Sequence, residues 1–116
     1  MQILVPRRVL AAATALPLLV AAALAGSSAH AAAGRSVVLE NIAFSPAKLT
    51  VARGARVTFR FQDGGTNHNV TSRGARRFKN SPTKGSGTYV VRFAKAGVYR
   101  YECTLHPGMK GVITVK

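Results

Sequence analysis

The sequence predicts an all-β domain of the sandwich or barrel kind, on three observations. Several stretches alternate apolar and polar residues with period two. Turn signals rich in Gly, Pro, Ser and Asp separate these stretches at short intervals. No window after residue 33 long enough to make a helix keeps a helical period.

The elements follow in order. Val57, Phe59 and Phe61 alternate with Arg56, Thr58, Arg60 and Gln62, so one face of this strand is dry. Tyr89, Val91 and Phe93 alternate with Val90, Arg92 and Ala94. Tyr99, Tyr101 and Cys103 alternate with Val98, Arg100 and Glu102. Residues 37–39, 49–51 and 112–115 are shorter strand candidates. The separating turns are Ser45-Pro46, Arg53-Gly54, Asp63-Gly64-Gly65, Gly85-Ser86-Gly87 and Ala96-Gly97. Residues 71–87 form an irregular connection with five basic side chains (Arg73, Arg76, Arg77, Lys79 and Lys84). Its one large apolar residue, Phe78, is expected to plug it onto the core.

The chain has 116 residues, 17 Lys and Arg against three acids (Glu40, Asp63 and Glu102), and a formal charge of +14. Its 47% hydrophobic content argues against disorder. Residues 1–33 read as a cleavable export signal. Arg7 and Arg8 form its basic start, 10–25 its apolar run, and cleavage falls near Ala31 or Ala33. That run is shorter than the roughly 20 residues a membrane-spanning helix needs. The Arg7-Arg8 pair is compatible with either general or twin-arginine export. Residues 34–116 then form a single domain with no transmembrane segment, placed in the periplasm or on the outer face of the cell.

Without the signal, fifteen basic residues face three acids, a charge of +12. Its only Cys, Met and His residues are Cys103, Met109, His68 and His106. One cysteine excludes an internal disulfide and a CxxC metal site, and an exported free thiol calls for a role. Cys103, His106 and Met109 stand at i, i+3 and i+6, and Pro107-Gly108 forces a tight loop between them. Such a loop can turn thiolate, imidazole and thioether toward one point, and His68 supplies a second imidazole. Two His, one Cys and a weak thioether are the donor set of a mononuclear electron-transfer copper site. No further donor cluster suits an enzyme, so none is expected.

These residues also carry a resemblance. Phe44-Ser45-Pro46, Leu49, Val51, Gly54, Val57 and Phe59 resemble the opening strands of the cupredoxins, the small blue copper proteins. His68-Asn69-Val70 resembles that family's first ligand segment. Gly97 to Cys103, His106, Met109, Gly111 and 112–115 resemble its C-terminal ligand hairpin. The short ligand loop is most similar to that of the plastocyanin/amicyanin group. The resemblance implies a Greek-key β-sandwich of about seven to eight strands, with copper at one end. It implies His68, Cys103 and His106 as strong ligands and Met109 as the long axial one. It makes Asn69 a tie between the first ligand loop and Thr104. Two departures stand out: the domain is short, so a strand or edge element is expected to be trimmed, and Leu105 replaces a proline.

The expected function is one-electron shuttling outside the cytoplasm. The alternative is copper storage, delivery or tolerance with the same ligands. The expected partner is a redox protein with an acidic docking face, steered by the basic residues of 73–84 with Arg53, Arg56 and Lys110 toward an apolar port around His106. No nucleic-acid motif is present, and a monomer is expected.

Overall fold

The computed structural model describes residues 34–116, and the export signal assigned to 1–33 lies outside the described residues. Eight strands follow in order: β1 (Arg35–Glu40), β2 (Ala43–Ser45), β3 (Lys48–Val51), β4 (Ala55–Phe61), β5 (Thr71–Arg73), β6 (Gly87–Phe93), β7 (Gly97–Glu102) and β8 (Lys110–Val115). They form two four-stranded sheets, ordered β2-β1-β4-β6 and β3-β8-β7-β5. The β1–β4 and β3–β8 pairs are parallel, and the others are antiparallel. Among the described residues no helix is long and apolar enough to cross a membrane.

The period-two pattern explains the two layers. In β4, Ala55, Val57, Phe59 and Phe61 are buried, while Arg56 and Arg60 are exposed. Leu39, Val91 and Phe93 join them from the same sheet; Tyr99, Tyr101, Ile113 and Val115 face them from the other. Tyr101 sits edge-on to both Phe44 and Phe59, with ring centroids 4.8 and 5.3 Å away.

The strands predicted around 57–61, 89–93 and 98–102 all form. Two elements differ from expectation. β2 is a strand that the sequence marked only by its turn, because Ala43 to Ser45 has no alternation of its own and pairs with β1 alone. β5 interrupts the stretch expected to be irregular. Thr71 to Arg73 pair with β7, and Ser72 N–H donates to Asn80 Oδ1 at 2.8 Å. Phe78 plugs the rest onto the core, edge-on to Phe93 at 5.6 Å and stacked over Phe59 at 6.4 Å. The shortness of the domain is absorbed by the three-residue strands β2 and β5; the eight-strand plan is kept.

Strand direction gives the molecule two distinct ends. β4 and β7 run toward one end, finishing at Phe61 and Glu102, where β6 and β8 begin. The loops bearing His68 and 103–109 emerge there. Arg53, Arg56 and Arg76, expected to steer a partner toward those loops, stand at the opposite end. Arg53 N–H donates to Lys116 O, Arg56 pairs with Arg92 near the end of β6, and Arg76 lies against Gly97 at the start of β7.

Candidate metal centre

Cys103 follows the last residue of β7, and Met109 precedes the first of β8. The hairpin between them is closed by Cys103 N–H donating to Met109 O at 3.0 Å and Met109 N–H donating to His106 O at 3.1 Å. Gly108, with φ 87°, takes the left-handed turn that follows Pro107. The loop therefore returns on itself within seven residues, which brings Cys103, His106 and Met109 together. Cys103 and Met109 are buried, and His106 is half-buried.

His68 reaches the same point from the other loop. Its backbone exchanges two hydrogen bonds with Lys84, at 3.0 and 2.9 Å, which pins it between β4 and β5. Its ring is fully buried. His68 Nδ1 lies 3.7 Å from Cys103 Sγ, and His106 Nδ1 lies 3.5 Å from the same sulfur. The three donor atoms lie within 4.8 Å of one another.

Two further residues set this geometry. The amide of Asn69 uses both ends. Nδ2 donates to Thr104 Oγ1 at 2.8 Å and Thr83 Oγ1 at 3.3 Å, and Oδ1 accepts from Thr104 N–H at 3.0 Å and Thr71 Oγ1 at 2.8 Å. This is the tie between Asn69 and Thr104 that the resemblance implied. Asp63 is the contribution that sequence reasoning missed, because it stood there only as a turn residue. Its Oδ2 accepts from His68 Nε2 at 2.8 Å. A carboxylate only accepts, so the His68 proton resides on Nε2 and the Nδ1 lone pair is free to face the sulfur. The hydrogen bond from His68, with those from the Ile42 and Asn41 N–H groups, holds the Asp63 carboxyl below its ordinary value of 3.8. The available signal was an acid five residues before a ligand candidate, in a glycine turn.

The donor chemistry fits copper. A buried thiol, two imidazoles presenting the same ring nitrogen, and a buried thioether next to them form a mixed soft and borderline set, the donor set of a type 1 copper site. The comparisons agree. A family model described as Cupredoxin-like domain matches residues 12–115. The chain belongs to the cupredoxin-like domain family, whose cofactor is copper. It is 35% identical over 86 residues to plastocyanin A/B of Petroselinum crispum, covering 64% of this chain and 88% of that protein. The structure of a purple cupredoxin from Nitrosopumilus maritimus superposes with a TM-score of 0.64 at 26% identity, covering 71% of this chain and 99% of that one. A Cu(I) amicyanin variant superposes with a TM-score of 0.66 at 26% identity, covering 72% and 82%.

Proposed function

We propose that this protein is a one-electron carrier working outside the cytoplasm, with His68, Cys103, His106 and Met109 holding one copper ion. The observation that carries the reading is the convergence of His68 Nδ1 and His106 Nδ1 on the buried Cys103 sulfur. Bound copper supplies a reversible Cu(II)/Cu(I) couple. His68, His106 and Cys103 would be the strong donors to that ion, and the Met109 thioether the weak one.

The protein's part is to keep these donors still. Asn69 locks the His68 loop to the 103–109 loop, and Asp63 sets the tautomer and ring orientation of His68. Donors that do not move between oxidation states make electron exchange fast. The same burial works against storage or delivery, since His68 and Cys103 are closed to a chaperone's ligands.

Electrons enter and leave at His106. Its half-buried ring lies beside Leu105, 47% exposed, and the exposed Pro107 and Gly108, an apolar spot where a partner can exclude water. The partner is a redox protein. An acidic docking face on it would meet Lys84 and Lys110 at this end, among the acids Glu40, Asp63 and Glu102. The export reading rests on the basic start and apolar run of 1–33.

The test is to add Cu(II) to the purified chain and record visible and EPR spectra. One copper per chain, with an intense thiolate charge-transfer band and narrow hyperfine splitting, is expected. Cys103→Ser should lose the band even if copper still binds. An undiminished band in that variant overturns the assignment.

A further inference from the structure

We propose that the end of the sandwich opposite the metal centre is a docking surface for an anionic lipid bilayer. The inference stands independently of the redox reading, since none of its residues belongs to the copper end.

Seven of the fifteen Lys and Arg in residues 34–116 collect at this end, all of them exposed. Arg35 opens β1, beside Val57 near the start of β4. Arg53 occupies the turn into β4 and donates its N–H to the carbonyl of the C-terminal Lys116 at 3.2 Å. Arg76 lies against Gly97, the first residue of β7, and Lys95 stands in the turn just before it. Arg56 and Arg92 are directly opposed across β4 and β6. Like charges so placed oppose folding, so a pair of this kind is more readily understood if an anion relieves it.

No acidic side chain stands among them. Glu40 ends β1, Glu102 ends β7 and Asp63 follows β4, all at the copper end. The Arg73–Glu102 ion pair and the His68–Asp63 hydrogen bond use two of those acids. The acidic side chains are thus confined to the copper end, and the far end carries cationic side chains alone.

One feature favours a bilayer over an acidic protein. The cations come from strand ends and turns of both sheets, so they spread over the whole end of the sandwich and suit a flat anionic surface. Cations spread over a surface in this way bind acidic headgroups through the surface potential of the bilayer. The copper end is left pointing away, about 20 Å off along the seven residues of β4.

The test uses residues 34–116, which contain all eight strands and the core, so that the apolar run contributes nothing. Copper-loaded protein is floated with vesicles of phosphatidylcholine alone, or of phosphatidylcholine and phosphatidylglycerol in equal parts. Binding to the mixed vesicles alone, weakening as salt rises, is expected. Arg56→Gln with Arg92→Gln should weaken it about thirtyfold. Lys48→Gln with Lys110→Gln, an equal charge loss nearer the copper end, should weaken it far less. Arg56→Glu with Arg92→Glu, checked for unchanged circular dichroism and copper spectrum, should abolish it. Equal binding to both vesicles, or equal losses in the two Gln pairs, would overturn the proposal. So would displacement by polyglutamate at matched charge concentration, which would assign the surface to an acidic protein chain.

Discussion

Asp63 links a metal-ligand candidate, His68, to the turn between β1 and β2. The oxygen that accepts from His68 Nε2 at 2.8 Å also accepts from Ile42 N–H at 3.0 Å, and the other oxygen accepts from Asn41 N–H at 3.0 Å. Asn41 and Ile42 both have positive φ, 52° and 53°. That conformation is tolerated by Asn and costly for a β-branched residue. One carboxylate therefore braces a strained hairpin and orients a buried imidazole.

Asp63→Asn should raise the reduction potential. A negative charge behind His68 favours the more highly charged Cu(II), so its loss favours Cu(I). An affinity change for Cu(II) of about tenfold is in the range for such partners. With Cu(I) affinity unchanged, that corresponds to about 59 mV for one electron. Voltammetry on wild type and variant checks it, and an unmoved potential would make Asp63 a brace for the turn alone.

Acid should weaken the copper-free fold through the same residue. The folded pKa of Asp63 is lowered, chiefly by its hydrogen bond with His68. Its contribution is therefore fully present above the unfolded carboxyl range and is lost as pH falls through the folded value. Thermal melts should hold steady from neutrality down to about pH 5 as far as this group is concerned and fall below about pH 4. Asp63→Asn should flatten that fall.

Asn69→Ala should loosen the union of the two ligand loops. It removes four hydrogen bonds and strands the N–H of Thr104. The expected loss is about 2–3 kcal/mol, read by denaturant unfolding of the copper-free protein.

Met109→Leu should leave the copper bound and blue while raising the potential. The weak thioether stabilises Cu(II) more than Cu(I), which is satisfied with three donors. An unchanged potential would reduce Met109 to core filling.

Gly111→Ala should be among the most damaging single-methyl changes. A Cβ there would overlap the ring of Tyr101, which Phe44 and Phe59 hold edge-on. With the ring unable to swing away, a loss of about 1–3 kcal/mol is expected, measured by unfolding.

The sequence by itself determined the strands with clear alternation and the four soft donors. Val57, Phe59 and Phe61 announce a one-sided strand because burial has the period of the backbone. His68, Cys103, His106 and Met109 stand out because residues 34–116 contain no other Cys, His or Met. Tertiary structure decided what depends on partners distant in the chain. β2 and β5 are too short to alternate and exist through β1 and β7. Asp63 acquires its role because the turn after β4 folds back onto His68 and onto the 41–42 hairpin. The basic residues read in sequence as guides toward the copper, because composition counts charge without direction. Strand polarity sends Arg53, Arg56 and Arg76 to one end and Glu40, Asp63 and Glu102 to the other, and a field depends on where its charges stand.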